Sequence, residues 1–208
     1  MMKRCIVIGS MPVKFDLRSI IKADDFIVCA DRGYINAMQQ GVEPHVIVGD
    51  FDSAPPPQNT SAKVITLPCE KDDTDSYYIA RHIVKDEYTH AVFCGVTGGR
   101  PDHTFANIQM LKFMAENGVD TQIVDKDSTY RVLIDGTIVL EPIENSYFSI
   151  FSLDEKCIGV SERGGKYQLS DMELTNDFPI GVSNEFVGNS VEITVKKGAL
   201  LIITTRKD

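Results

Sequence analysis

Short β-branched runs alternate with helical spacing over the first two-thirds of the chain. Residues 4–9 predict a strand and residues near 15–22 a short helix. Residues 25–30 predict a second strand, closed by Asp31, and residues 33–40 a helix that stops at Gly41, a natural C-terminal signal. Residues 45–48 predict a third strand, Pro55-Pro56-Pro57 breaks the chain after it, and residues 63–67 predict a fourth. Ile79, Ala80, Ile83 and Val84 recur at helical period. The start of that helix is marked by Thr74, a good capping side chain, and by Asp75, a charge the helix dipole favours. Residues 91–95 predict a fifth strand, Thr97 to Pro101 a turn, and residues 121–124 a sixth strand. Between the last two, a helix begins near Asp102, carries Phe105, Ile108, Leu111 and Ala115 on one face, and ends at Gly118. This alternation predicts an α/β domain: a parallel, Rossmann-like sheet with helices on both faces.

After about residue 128 the helical spacing disappears. Residues 130–134 and 137–140 flank Asp135-Gly136, a strong two-residue hairpin signal. Residues 147–151, 157–160, 167–169, 191–195 and 199–205 read as further short strands, with Lys197-Gly198 as another turn. The expected organisation is an α/β domain over 1–128 followed by a small all-β sandwich over 129–208. The second is small for an independent unit, so it is expected to pack on the first or on another subunit.

Composition narrows the function. The 208 residues are 43% apolar and 25% charged, as in ordinary globular proteins. A net charge of -9 excludes a general nucleic-acid binder, which needs a basic stripe. It leaves room for a phosphate substrate, because a bound metal can supply local positive charge. No apolar run approaches membrane-spanning length, and the N-terminal run is too short for a signal peptide. The five cysteines include no CxxC pair, and Cys5, Cys29 and Cys94 sit inside apolar runs. They read as reduced core thiols of a cytoplasmic protein rather than as zinc ligands.

The polar clusters fall at the carboxyl ends of the strands, where α/β sheets bind ligands. The chief one is Val48-Gly49-Asp50-Phe51-Asp52-Ser53. In extended chain Asp50 and Asp52 would project together and Phe51 the other way, into packing. Paired carboxylates repel unless a cation or a shared proton relieves them, and the arrangement suits Mg2+. Either Asp could also accept the proton of an attacking hydroxyl. Asp75 is a third carboxylate or a simple helix-start charge, Thr74 a phosphate contact or only a cap, and Lys71 a phosphate contact or a surface charge. Thr97-Gly98-Gly99-Arg100 precedes a helix, where backbone N–H groups and a guanidinium can meet an anion. Asp102, His103 and Asn107 follow, the last two on one helical face, with His103 an acid, a base, a phosphate donor or a structural histidine. Asp31 would orient a cation or a metal-bound water, or cap the next helix. Ser183 and Asn184, in a polar patch of the β region, could hydrogen-bond a small ligand or form a turn.

Taken together, Cys29 to Gly33, Val48 to Ser53, Lys71 to Asp75, Thr97 to His103 with Asn107, and Gly181 to Phe186 resemble the thiamine pyrophosphokinase family in order and spacing. The resemblance covers nearly the whole chain, and the set is more specific than any one motif. It implies an α/β catalytic domain and a thiamine-binding β-sandwich. It also implies a homodimer with active sites at the subunit interface, and pyrophosphate transfer from ATP to thiamine with release of AMP. By motif, Asp50, Asp52 and Asp75 would hold Mg2+, with Asp31 beside the metal-phosphate cluster. Thr74 and Arg100 would contact the ATP phosphates, with Thr97, Asp102, His103 and Asn107 in the same nucleotide site. Ser183, Asn184 and an aromatic, Tyr167 or Phe186, would line the thiamine site. Two departures stand out: Arg32 replaces a glycine of many members, and Tyr167 follows Lys166 where some members carry Trp. Rival readings are a pyrophosphokinase for another alcohol such as a hydroxymethyl-pterin, a haloacid-dehalogenase-type phosphatase, and a non-catalytic thiamine or nucleotide sensor. The phosphatase's Asp-x-Asp loop normally follows the first strand of its core, not the third.

Overall fold

A computed structural model describes residues 2–52, 55–70 and 72–207. The expected role of Lys71 therefore lies outside the described residues. The chain divides into two compact units, Met1–Lys126 and Asp127–Asp208.

The first unit holds β1 (Arg4–Ile8), β2 (Phe26–Ala30), α1 (Gly33–Gln39), β3 (Val46–Gly49), β4 (Lys63–Thr66), α2 (Asp75–Lys85), β5 (His90–Cys94), α3 (Pro101–Glu116) and β6 (Asp120–Val124). The short helix expected near residues 15–22 contracts to one 3-10 turn, Leu17–Ser19, because Asp16 caps it and the chain then turns into β2. The strands lie in the order β6-β5-β1-β2-β3-β4, and every pair is parallel. Side-chain alternation sends Ile6, Ile8, Ile27, Cys29 and Ile47 to one face, where Ala37 of α1 and Leu17 join them. Cys5, Val28 and Val48 line the opposite face together with Ile79 and Ile83 of α2. Each fully buried isoleucine stabilises the fold by roughly 1.5–3 kcal/mol. Cys5, Cys29 and Cys94 are buried thiols, each pushed up to about 12 chiefly by burial, so they are inert core residues.

In this sheet the chain runs outward from β1 in both directions, to β2 on one side and β5 on the other. That reversal leaves a crevice beyond the carboxyl ends of β1 and β5. The loops after the two strands touch: Met11 N–H donates to Gly95 O at 2.9 Å. Gly95 has a φ of +65°, and a Cβ there would meet Met11 O at 2.7 Å, so a glycine is required at this closest approach.

The second unit is antiparallel: β7 (Ser128–Leu140), β8 (Ser146–Ser152), β9 (Lys156–Arg163), β10 (Leu169–Thr175), β11 (Asn184–Glu185) and β12 (Val191–Arg206). Strand pairing across the chain is thus mixed, not parallel throughout. The expected hairpin at Asp135-Gly136 does not form. Residues on both sides of it pair with one strand, β12, so β7 runs straight through. The positive φ of Asp135 serves instead as a bulge opposite Lys196-Lys197-Gly198, and Asp135 Oδ1 accepts from Gly198 N–H at 2.8 Å. For the same reason Lys197-Gly198 is an irregularity within β12, not a turn, and residues 191–195 and 199–205 are one strand. The other side of β12 carries β9 along its first half and β8 along its second. The sheet folds over at the bulge, and Phe148 and Ile150 of β8 share one core with Cys157, Val160, Leu174, Val191 and Ile193.

Candidate active site

The crevice of the first unit is a cavity of about 510 Å³. Asp31, Asp50, Thr74, Asp75, Arg100, His103 and Asn107 line it, so the sheet gathers side chains up to 76 residues apart in sequence. Also on its wall are Asp72 and Asp73, which belong to the Lys71–Asp75 motif but had no role assigned in the sequence, and, missed there altogether, Ser10 and Met11 after β1, Cys69 before α2 and Thr104 in α3. The only signal for Ser10 and Met11 is Gly9, a lone glycine closing the first strand.

Asp31 sits just past β2 with a φ of +50°, and its Oδ1 is shut off from solvent with no hydrogen bond from any described residue. Burial raises its pKa above the ordinary carboxylate value, and the charges of Asp75, Asp50 and Asp52 push the same way against the Arg32 N–H. Asp50 follows β3, but the chain is not extended there. Phe51 takes a φ of +55°, and Asp52 N–H donates to Asp50 Oδ1 at 3.2 Å, closing a local turn. Phe51 does pack onto the sheet core. Asp52 is exposed and does not line the cavity, so the alternation argument for a matched pair fails.

Thr74 caps α2 through Tyr77 N–H at 3.2 Å, which aims the first turn of the helix, with Asp75, into the cleft. Arg100 precedes α3, and its guanidinium is held by Asp102 through a two-point contact of 3.1 and 2.5 Å. This pair, largely exposed, raises the Arg100 pKa and lowers that of Asp102. Asp102 itself lies outside the cavity wall. So does Thr97, which is buried and donates to Asp125 at 2.7 Å, tying the loop after β5 to the segment after β6. Asn107 is buried and donates to Val96 O at 2.8 Å, fixing α3 to that loop.

Among the described residues, five carboxylates, one guanidinium and one imidazole line the cleft, and Asp73 is paired with Arg81 at 2.6 Å. Two helix starts point into the same space. The charge pattern and the orphaned Asp31 oxygen suit a cation that arrives with a polyanion. Among the described residues no three His, Cys, Asp or Glu side chains stand close enough to hold a metal by themselves. A cation here would need oxygens from its ligand as well.

The expected thiamine contacts lie in the second unit. Ser183 is exposed, with a φ of +59°. Tyr167 precedes β10 rather than starting a strand; the residue is 62% exposed, with Lys166 Nζ 5.5 Å from the centre of its ring. Phe186 instead packs on Phe148 in the core, so Tyr167 is the aromatic with an open face. Asn184 is buried and already fully hydrogen-bonded. Its Nδ2 donates to Glu162 and Tyr167 O, and its Oδ1 accepts from Tyr167 and Glu185 N–H. It cannot contact a ligand through its side chain without breaking one of these bonds.

Two family models match the chain. The thiamin pyrophosphokinase catalytic domain matches residues 17–123, and the thiamin pyrophosphokinase vitamin B1 binding domain matches residues 136–200. A thiamine pyrophosphokinase of Bacillus subtilis (strain 168) is 26% identical over 179 residues, covering 83% of this chain and 84% of that protein. The crystal structure of a thiamin pyrophosphokinase from Geobacillus thermodenitrificans superposes with a TM-score of 0.87 at 26% identity, covering 99% of this chain and 98% of the other. The Bacillus subtilis crystal structure reaches a TM-score of 0.89 at 22% identity over 99% of this chain and 100% of the other, a likeness of fold.

Proposed function

This chain belongs to the thiamine pyrophosphokinase family, and on that premise we propose that the acidic cleft of the first unit is where ATP and thiamine react. The reaction forms a bond from the thiamine hydroxyl oxygen to the β-phosphorus of ATP. The bond from that phosphorus to the α,β-bridging oxygen breaks, and AMP leaves with the electron pair. The hydroxyl proton passes to a base. The observation that carries the assignment is the cavity wall: Asp31, Asp50 and Asp75 converge on a space that two helix starts also face. In this reading Asp31, Asp50 and Asp75 would hold Mg2+. Mg2+, when bound, offsets the charge of both the phosphates and the carboxylates.

Asp50 lines the cleft and Asp52 does not, so Asp50 is assigned to orient the thiamine hydroxyl and accept its proton. Asp52 contributes field rather than contact. The first turn of α3 and Arg100 receive phosphate oxygens, with the guanidinium exchanging Asp102 for the substrate. His103 and Thr104 lie along the same helix face and complete the nucleotide wall. Thr97 and Asn107 act one step back, by holding the loop after β5. Chemistry of this kind is mostly positioning plus electrostatic stabilisation. In the second unit, Ser183 and the open ring of Tyr167 are assigned to thiamine.

The same reading includes a cytoplasmic homodimer with active sites at the subunit interface. Among the described residues no helix is long and apolar enough to cross a membrane. Phe178, Ile180, Val182 and Val187 are 46–64% exposed around the thiamine segment, an apolar patch that a second subunit would cover. Sedimentation would read a single species at twice the chain mass.

The direct test is incubation with ATP, Mg2+ and thiamine, followed by mass detection. Thiamine diphosphate and AMP in equal amounts are expected. ADP with thiamine monophosphate, or inorganic phosphate alone, would reject the assignment.

A further inference from the structure

The bonds around Asn184 have a consequence for the second unit, and it rests on the assignment of Ser183 and Tyr167 to thiamine. Asn184 stands in β11 and locks two segments together. Its Oδ1 accepts from Tyr167 N–H at 3.0 Å and Glu185 N–H at 2.8 Å, while its Nδ2 donates to Tyr167 O at 2.5 Å. An amide can make this set of contacts in only one of its two flipped orientations, because the Tyr167 and Glu185 N–H groups need an acceptor. The remaining bond selects that orientation. It runs from Asn184 Nδ2 to Oε1 of Glu162, an acceptor on β9 that is 2% exposed. Ionised or protonated, the carboxyl keeps an accepting oxygen, and with Oε1 in that role it takes the NH2 end of the amide.

Gly165 supplies the room. A Cβ built there would meet Glu162 Oε1 at 2.6 Å, Phe148 Cζ at 2.8 Å and Asn184 Nδ2 at 3.0 Å, the centre of the clamp. Gly165 lacks a positive φ, so its backbone would tolerate alanine; space is what demands glycine here. Backbone pairing continues on both sides of it. Gly165 bridges Phe186, and Lys166 N–H donates to Glu185 O at 3.0 Å.

We propose that Glu162 is a positioning residue of the thiamine site: it acts through Asn184 to hold the backbone of Tyr167 against the 183–186 segment, and so sets the distance between the Tyr167 ring and Ser183. Glu162 touches no reacting atom in this scheme. A loss at Glu162 therefore weakens thiamine binding and leaves ATP handling alone.

The test uses the full-length enzyme with three variants. Glu162→Leu removes the acceptor while keeping the buried volume. Glu162→Gln keeps an acceptor oxygen and is the rescue. Gly165→Ala forces a methyl group into the clamp, against Glu162 Oε1 and Asn184 Nδ2, while leaving both of those side chains in the sequence. Glu162→Leu and Gly165→Ala are expected to raise KM for thiamine about tenfold or more, the scale of losing one or two buried hydrogen bonds, with kcat and KM for ATP within about twofold of wild type. Glu162→Gln should stay near wild type for all three constants. Hydrogen exchange gives a readout independent of turnover: the Tyr167 and Glu185 amides should exchange faster in Glu162→Leu than in Glu162→Gln. An unchanged thiamine KM with unchanged exchange in both damaging variants would overturn the proposal. So would a loss that falls equally on ATP. If Glu162→Leu does not fold, Gly165→Ala decides by the same criteria. A wild-type enzyme that makes no thiamine diphosphate would instead remove the functional assignment, while the exchange comparison would still judge the clamp.

Discussion

Glu162 also makes a quantitative prediction about stability. Its carboxyl lies in the core of the second unit, 2% exposed, facing the Asn184 amide, Phe148 and Gly165. The nearby lysines, Lys166 and Lys207, are engaged with Glu185, whose carboxyl they pull down to about 2. Burial pushes Glu162 up from 4.5 to about 7. The folded state therefore holds this proton more tightly than the unfolded chain does. Stability from this group is complete below pH 4.5 and is lost as pH rises through about 7. At 1.36 kcal/mol per pH unit, the loss is about 3 kcal/mol once the group is fully ionised. Glu162→Gln removes the titration and keeps the acceptor for Asn184. Differential scanning calorimetry of both proteins at pH 5 and pH 8.5 isolates the effect, because every other titrating group is shared. About 2.5 kcal/mol of that loss falls between the two pH values, so the variant should gain on wild type by about 5–10 °C in Tm, at about 2–4 °C per kcal/mol for a chain of this length. Parallel Tm shifts in the two proteins would refute the reasoning. They would mean that Glu162 ionises as readily when folded as when unfolded.

Asp31→Asn should raise Tm in metal-free buffer at pH 7, because a carboxylate with a raised folded pKa costs stability when charged. The gain should vanish near pH 3, and Mg2+ with ATP should stabilise the variant less than wild type; a variant less stable than wild type in EDTA would count against the orphaned oxygen as a cation ligand. Asp50→Asn should lower kcat about a hundredfold, the scale of one lost transition-state contact, while Asp52→Asn should lower it less, as steady-state assays would read. Asp102→Asn releases Arg100 from its ion pair and should lower KM for ATP about two- to threefold, an effect that 0.5 M salt should blunt.

The parallel sheet was readable because its strands are buried on both faces, and buried strands appear as β-branched runs whose period needs no partner to be seen. The Thr74 cap was equally local: donor and acceptor lie three residues apart. What escaped were features decided across long separations. Asp135-Gly136 has the composition of a hairpin turn, but β12 lies some 60 residues further on and offers both flanks a longer ladder, so the positive φ became a bulge. Asn184 read as a polar residue available to a ligand because Glu162, 22 residues away, gives no sign in sequence of being buried against it. At Asp50 the misreading was conformational. A left-handed Phe51 ends the extended alternation that the pairing of Asp50 with Asp52 assumed, and a single φ is invisible in a residue string.

The strand that organises the second unit is also its last element in chain order. Strands β7, β8 and β9 all hydrogen-bond to β12. Until Val191–Arg206 has left the ribosome, each of them presents an unpaired edge carrying apolar side chains such as Val132, Phe148 and Val160. The first unit's sheet, by contrast, grows by neighbours that are mostly close in sequence. During synthesis the nascent chain must therefore carry several open strand edges for the whole time it takes to complete the second unit, the state most prone to pairing with another copy. Chaperone demand should be concentrated in that interval, and slower translation between β8 and β12 would lengthen the exposure instead of helping the chain to fold.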